Sequence, residues 1–172
     1  ARYGSTLVTG FARIHGYLGF YGSANQSMAA LFRTHAADGL VFGGPVPKAS
    51  IRDTYADFDA LLLILGKGKY VTSGKVFEYA ASALPIVAVH DPGNAATDVL
   101  REYPLWFPIN DLSPEAIAAA LHGAAAAARQ ATEDTRQACA DFARRFERAR
   151  QLEPRLSELR SLSSPQVTEG RS

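Results

Sequence analysis

Apolar runs of strand length alternate with stretches in which apolar residues recur at helical spacing. Most of the runs are rich in Val, Ile and Leu, and each is short for a helix. The predicted strands are Arg13–Tyr21 with its turn, Leu40–Phe42, Ala60–Leu65, Ile86–Val89 and Leu105–Pro108. The predicted helices are Ala24–Ala37, Ser50–Ala56, Gly74–Ala83 and a longer one that begins after Ser113. This alternation predicts an α/β fold with a Rossmann-like parallel sheet and helices on both faces.

The run Ala60–Leu65 contains no polar residue. A strand that is covered on both faces of a parallel sheet has this pattern, so we expect it to be the central strand. Ser113 and Pro114 form a helix start, because a serine side chain caps the first turn and proline fits the first helical position. The alanine-rich segment Ala116–Ala128 continues this helix, and we assign it no chemistry.

The last part of the chain is predicted to be helical and polar. Residues 132–150 place Phe142 and Phe146 at helical spacing among many Arg and Glu side chains. Pro154 is expected to start another helix, because proline is tolerated in a first helical turn. Residues 163–172 are polar, and we expect them to form a disordered tail.

Composition and charge exclude some classes of function. The chain has 172 residues, of which 47% are hydrophobic and 20% charged, as is ordinary for one soluble globular domain. Its formal net charge of +1 gives no overall attraction to nucleic acid, so we expect no nucleic-acid partner. No apolar run approaches the length of about 18 residues that a membrane span needs, and we expect no transmembrane segment.

The cysteine and methionine content bears on the compartment and on the origin of the chain. The single cysteine, Cys139, has no partner for a disulfide, and its helical surroundings indicate a buried, small apolar side chain. A reducing compartment fits this usage, and we expect a cytoplasmic protein. The chain begins with Ala1 and its single methionine is Met28, so we expect a fragment or a processed product.

The strongest candidate for chemistry is the segment 71–89, in which a glycine-containing turn leads into a short helix. Thr72 or Ser73 can cap this helix, and Lys75 then lies in its first turn beside unpaired backbone N–H groups. The helix dipole disfavours a cation there, and a bound anion would remove the conflict. Glu78 lies one turn further along the same face. The pattern indicates a phosphate near Lys75 and a hydroxyl-rich group near Glu78.

A simpler explanation of the same spacing stays open. Lys75 and Glu78 are three residues apart, and opposite charges at this distance on a helix form an exposed ion pair worth roughly 0.2–0.5 kcal/mol. Spacing alone does not separate such a pair from a ligand site.

Two segments resemble glycosyltransferases of the GT-B type, in particular the bacterial family 4-like (group 1) enzymes. Residues 38–47 are similar to the strand and Gly-x-Val-Pro turn of that family, and residues 51–64 to the helix and Ala-Asp-strand series that follow it. Together with the motif Lys75–Pro85, these residues extend the resemblance over residues 16–125. The positions that match the family's donor-binding signature are Gly74, Lys75, Phe77, Glu78, Tyr79, Ala80 and Pro85.

The resemblance implies one half of a GT-B architecture, its C-terminal donor-binding domain. We expect residues 16–128 to form the nucleotide-sugar-binding domain, and residues 129–162 to be helices that pack on it or on its missing partner. Residues 1–15 are either a linker or an additional strand. The missing partner would be the N-terminal, acceptor-binding domain, and any peripheral contact with the inner face of the membrane would come through it.

Ligands of a doubly wound sheet bind at the carboxyl ends of its strands, where three loops of this chain should meet. Gly22, in the first loop, allows backbone to approach a pyrophosphate, although it can equally serve a turn. For the second loop the resemblance implies that backbone groups around Val46 contact the nucleobase, and a rigid turn is the alternative. The third loop supplies the expected phosphate contacts Lys69, Thr72, Ser73 and Gly74.

The resemblance implies that the Glu78 carboxylate accepts hydrogen bonds from the ribose hydroxyls of the nucleotide. It gives Lys75 a catalytic role, because a cation beside the departing diphosphate stabilises the developing charge without a metal. Two features depart from the family. Tyr70 stands where many members have a second glutamate, and no cation lies between Arg13 and Arg33, where many have an Arg and a Lys.

The implied reaction moves a sugar from a nucleoside diphosphate donor to an acceptor on the missing domain, and it needs no cofactor and no metal. Asp57 and Asp59 have Asp-x-Asp spacing, but Asp59 directly precedes a buried strand, so we expect no metal site there. Two alternatives stay open: another GT-B nucleotide-sugar enzyme such as an epimerase, and a non-catalytic nucleotide-binding module. We expect the donor-binding half alone to be inactive.

Overall fold

Short strands joined by helices make up the computed structural model, which describes residues 17–65 and 73–163. The strands are β1 (Leu18–Tyr21), β2 (Leu40–Gly44), β3 (Leu61–Ile64), β4 (Ile86–Val89) and β5 (Trp106–Ile109). The α-helices are α1 (Gln26–Thr34), α2 (Ile51–Ala56), α3 (Lys75–Ala80), α4 (Ala95–Leu100), α5 (Pro114–Gln130), α6 (Glu133–Arg144) and α7 (Arg148–Ser163). Two 3-10 turns precede β2 and α2, at Ala36–Asp38 and Lys48–Ser50.

The strands pair in parallel and form two sheets. One sheet contains β1 and β2, and the other contains β3, β4 and β5 in that order. Parallel neighbours need crossover connections, and the helices between successive strands supply them. The predicted α/β, Rossmann-like fold is confirmed. The prediction had a single sheet, whereas the structure has two, one of β1 and β2 and one of β3, β4 and β5.

The middle position of the larger sheet belongs to β4 and not to β3. All residues of β4 are buried, whereas β3 is an edge strand of its sheet and Ile64 is 42% exposed. The prediction that Ala60–Leu65 is the central strand is therefore wrong. The runs that form β3 and β4 both lack polar residues, so the apolar pattern alone could not show which of them is central. The order in which the strands pair shows that it is β4.

Helices cover both faces of the larger sheet, because successive residues of a strand point to opposite faces. On the first face, Leu63, Ile86 and Ala88 pack with Val76, Ala80, Ala96, Leu100, Cys139 and Phe142 of α3, α4 and α6. On the second face, Val87, Val89 and Ile109 pack with Ile117 and Ala124 of α5. The smaller sheet has a separate cluster, in which Phe32 of α1 packs on Leu40 of β2.

Capping side chains determine where two of the helices begin. Ser113 Oγ accepts a hydrogen bond from the backbone N–H of Ala116 at 3.3 Å, which confirms the predicted start of α5. The sequence predictions contained no helix at α4. Asn94 caps it by accepting a hydrogen bond from the backbone N–H of Ala96 at 2.8 Å. An asparagine directly after a Pro-Gly pair was the signal that could have revealed α4.

The polar C-terminal part forms α6 and α7. Cys139 of α6 is fully buried, as predicted. The backbone N–H of Gln151 donates to the carbonyl of Glu147 at 3.0 Å, so α7 begins well before Pro154. The prediction that Pro154 starts a helix is wrong, because a turn of α7 has already formed ahead of it.

Parts of the predictions lie outside the described residues. These are residues 1–15 and the segment 164–172 of the predicted tail. In the part that the structure does describe, no helix combines the length and the apolar character needed to cross a membrane.

Candidate functional site

A cavity of about 770 Å³ is lined by β1 and β3, the strands on either side of the division between the two sheets. Gly22 follows β1, Val46 follows β2, and both line this cavity together with Lys75 of α3. Helix α5 contributes His122 and Arg129. A volume of this order is typical of a site for a small molecule.

A hydrogen-bonded cluster of Tyr55, Lys75 and Glu78 lies at this cavity. Lys75 Nζ donates to Glu78 Oε1 at 2.8 Å and to Tyr55 Oη at 3.0 Å. The Tyr55 hydroxyl donates to the same carboxylate oxygen, Glu78 Oε1, at 2.5 Å. Because Tyr55 belongs to α2 and the other two residues to α3, the Tyr55–Lys75–Glu78 cluster joins two helices that are separated by β3.

Two aromatic rings hold the ammonium group of Lys75. Its Nζ lies 5.7 Å from the ring centroid of Tyr55 and 5.8 Å from that of Tyr79. The two rings meet edge to face with their centroids 5.5 Å apart. Cation–π contacts of this kind contribute about 0.5–1 kcal/mol at exposed sites, so the rings add to the hydrogen bonds in fixing the charge.

The cluster keeps both of its charges at neutral pH. Partial burial alone would raise the pKa of Glu78, but the hydrogen bonds from Lys75 and Tyr55 outweigh it and hold this pKa below its ordinary value. Burial alone would lower the pKa of Lys75, and the hydrogen bonds to Glu78 and Tyr55 hold it above its ordinary value instead. Burial, and then the bond to Glu78, raise the pKa of Tyr55 to about 12, so its hydroxyl remains a donor.

Solvent reaches the ion pair, since the side chains of Lys75 and Glu78 are 43% and 38% exposed. The pair that the sequence spacing allowed as the simpler explanation is therefore present in the structure. The negative charge of Glu78 also offsets the unfavourable interaction between Lys75 and the helix dipole, so no bound anion is needed for that purpose. The Tyr55 hydroxyl, a third member that the spacing did not reveal, distinguishes the cluster from an ordinary exposed pair.

In the described part of the chain, Gly74 at the N-terminal end of α3 has free space beside it. Ser73 Oγ accepts a hydrogen bond from the backbone N–H of Lys75 at 3.2 Å. The N-cap residue of α3 is Gly74, which has no side chain to cap the helix, so the prediction that Ser73 is the cap is wrong. A Cβ placed on Gly74 would meet no atom within 4 Å. Since α3 has only six residues, its dipole is small, and among the described residues Lys75 supplies the positive charge of its first turn.

The structure brings most of the predicted site residues together. Gly22 has a φ of +125°, which glycine adopts readily, and its backbone N–H donates to the carbonyl of Gly44 at 2.8 Å. Two predicted phosphate contacts, Lys69 and Thr72, lie outside the described residues, as does Tyr70. The other predicted residues line the cavity or adjoin Lys75, and they are Gly22, Val46, Ser73, Gly74 and Glu78.

Sequence reasoning missed four side chains that line the cavity. Tyr79 lay within the recognised segment without a role, whereas Tyr55, His122 and Arg129 come from helices to which no chemistry was assigned. For Tyr55 a signal existed, because α2 follows the Val46 loop and so begins near the carboxyl edge of the sheets. For His122 and Arg129 of α5 no sequence signal was found, because they lie in an alanine-rich helix to which no chemistry was assigned.

The loop after β4 has a structural role. Asp91 Oδ1 accepts a hydrogen bond from the backbone N–H of Gly93 at 2.9 Å and so stabilises the turn of this loop. The ring of His90 stacks on that of Trp106 with centroids 6.4 Å apart. Within the described ranges, no three His, Cys, Asp or Glu side chains are arranged to hold a metal ion.

Comparisons with known proteins do not extend this description. No model of a known protein family matches the chain, and no curated protein sequence matches it significantly.

Proposed function

We propose that this chain is the donor-binding half of a glycosyltransferase, and that it binds a nucleoside diphosphate sugar in the cavity at the Tyr55–Lys75–Glu78 cluster. One observation carries the proposal: Lys75, a cation, lines a cavity of suitable size and is joined to Glu78, a carboxylate. A diphosphate requires the first group and sugar hydroxyls require the second.

The phosphate side of the proposed site combines charge with accessible backbone. Lys75 and Arg129 both line the cavity and supply positive charge. A Cβ at Gly22 or at Gly74 would meet nothing within 4 Å, so a diphosphate can approach the backbone at these two glycines.

The sugar side depends on Glu78. An ionised carboxylate is an acceptor only, and in this structure one of its oxygens already accepts a hydrogen bond from a hydroxyl, that of Tyr55. A ribose offers two neighbouring hydroxyls of the same donor type. The Glu78 carboxylate is thus chemically suited to hold the ribose of a nucleotide.

The proposed reaction explains why a fixed cation is useful. Glycosyl transfer breaks the bond between the anomeric carbon and a diphosphate oxygen and forms a bond from that carbon to an acceptor oxygen, whose proton is released. Negative charge develops on the departing diphosphate. Lys75 is held in place by two hydrogen bonds and two rings, so it can stabilise this charge with little reorganisation.

Calorimetric titration of the full chain with nucleoside diphosphates tests the proposal. Glu78→Ala should weaken binding by about 1–3 kcal/mol, because hydrogen bonds to a charged group are lost. Lys75→Met should weaken the binding of nucleoside diphosphates and of inorganic pyrophosphate. It should leave the binding of the corresponding nucleosides nearly unchanged, since they carry no phosphate charge.

Glu102→Gln is the matched control. Glu102 forms an ion pair with Arg145 at 2.5 Å, and neither residue lines the cavity, so binding should not change. Unchanged affinity in Glu78→Ala and Lys75→Met would reduce the cluster to a structural ion pair. Nucleotide binding without sugar transfer in a protein that also contains the acceptor domain would favour a non-catalytic module.

A further inference from the structure

Tyr55 lines the cavity and is hydrogen-bonded to Glu78. Among the described residues that line the cavity are Tyr55, Lys75 and Tyr79, whereas Glu78 is not one of them. Tyr55 and Lys75 are also the two residues whose side chains are hydrogen-bonded to Glu78 Oε1. A molecule in the cavity can therefore contact two side chains that donate to the carboxylate.

The chemistry of this contact resembles that of a bound sugar. A phenol hydroxyl and a sugar hydroxyl each offer one O–H donor to a carboxylate. At 2.5 Å, Tyr55 Oη is within the range of an O–H donor on a charged oxygen. Tyr55 and Lys75 both donate to Oε1, so both acceptor positions of this oxygen have a donor.

We propose that the Tyr55 hydroxyl occupies on Glu78 the position of a ribose hydroxyl, and that a ligand with a vicinal diol displaces it. This inference rests on the proposed function, since it concerns the same site. Without ligand, Tyr55 satisfies the carboxylate and keeps Lys75 and Glu78 in their binding arrangement. With ligand, the bond from Tyr55 is exchanged for bonds from the diol.

The exchange has a consequence for selectivity. A ligand whose diol binds at Oε1 breaks the Tyr55–Glu78 bond and replaces that bond with its own. A ligand without ribose hydroxyls has nothing to exchange and leaves Tyr55 in place. Removal of the Tyr55 hydroxyl should therefore help the first kind of ligand and have no effect on the second.

Tyr55→Phe separates this role from a structural one. The substitution removes the hydroxyl and keeps the ring that contacts Lys75 and Tyr79. Calorimetry of the full chain would use adenosine, guanosine, cytidine and uridine diphosphates and their dideoxy analogues, which lack both ribose hydroxyls. We expect the variant to bind the ribonucleotide about two- to tenfold more tightly, the size of one hydrogen bond, and the dideoxy analogue with unchanged affinity.

Tyr103→Phe serves as the control, because it removes a hydroxyl that donates to the carbonyl of Leu84 and does not line the cavity. Both affinities should be the same as in the wild type. A purely structural Tyr55 would instead weaken both kinds of ligand in Tyr55→Phe. An equal or lower ribonucleotide affinity overturns the displacement of Tyr55 alone, whereas a wild-type chain that binds none of the diphosphates overturns the proposed function as well.

A second measurement keeps both the ring and the hydroxyl of residue 55. Fluorotyrosine incorporated at position 55 reports the surroundings of this ring by fluorine NMR. Its resonance should shift when the ribonucleoside diphosphate binds and should remain in place with the dideoxy analogue. The same shift with both ligands contradicts the exchange at Glu78.

Discussion

Glu78 joins two helices of the folded structure and is also the residue that we propose to hold the ribose of a ligand. Its carboxylate accepts hydrogen bonds from Lys75 of the same helix and from Tyr55, and the bond from Tyr55 connects α3 to α2. The two bonds end on Oε1, and the side chain remains 38% exposed. Because solvent still reaches this carboxylate, the ion pair and the proposed binding site are not exclusive explanations.

The ionisation of Glu78 makes stability depend on pH. Its pKa in the folded protein lies below the ordinary value of 4.5, so the carboxylate stabilises the fold above that value, and this contribution is lost as the pH falls through the lowered pKa. In Glu78→Gln this contribution is absent at every pH. We expect the free energy of unfolding of the wild type to fall more steeply than that of the variant between about pH 6 and about pH 3.

Urea denaturation at a series of pH values measures this difference. The loss at neutral pH should be about 0.2–1 kcal/mol, since the pair is partly exposed and screened by solvent. Glu102→Gln, which removes one partner of a more exposed pair, should give a smaller loss. Parallel curves for the wild type and Glu78→Gln at acid pH would show that the cluster does not stabilise the ionised carboxylate.

At the level of elements, the helices with strong local signals were predictable. Ser113 and Pro114 marked the start of α5, and the Gly74–Ala83 prediction contained α3. The pairing of strands was not predictable, because β3 and β4 have equally apolar sequences and pairing is a long-range property. The same holds for the site: Lys75 and Glu78 are neighbours on one helix, whereas Tyr55 reaches them from a distant part of the chain.

Helix α6 should contribute strongly to stability although its sequence is largely polar. Phe142 is 2% exposed and packs against Tyr103 and Phe146 with ring centroids 5.3 Å and 5.2 Å away. Phe142→Ala should lower the free energy of unfolding by about 3–5 kcal/mol, because it leaves a cavity against the larger sheet. Chemical denaturation of the purified chain measures this loss.

Leu159→Ala in α7 is the comparison for that loss. Leu159 is 62% exposed, so the substitution should change stability by no more than about 0.5 kcal/mol. Leu152, Leu156 and Leu159 lie on α7 at helical spacing and are all exposed, as expected for a helix that has few contacts with the described core. A similar effect of the two substitutions would mean that α6 does not belong to the core.

At the scale of the whole molecule, the two sheets have unequal cores. In the described part of the chain, the cluster of the smaller sheet contains two buried residues, Phe32 and Leu40. The larger sheet has buried clusters on both of its faces, and all of β4 is buried. Regions with little buried apolar surface open at lower free energy, so we expect the β1–β2 unit to open before β3–β5.

Native-state hydrogen exchange tests this order of opening. The backbone amides of β4 should exchange at least about tenfold more slowly than those of β2, which corresponds to a difference of about 1.4 kcal/mol in opening free energy. Because the cavity is lined by β1 and β3, a nucleoside diphosphate bound there should slow exchange in β1 and β2 more than in β4. Equal protection of β2 and β4 would mean that the two sheets open as one unit, and a ligand that protects only β4 would place its binding site away from the division between the sheets.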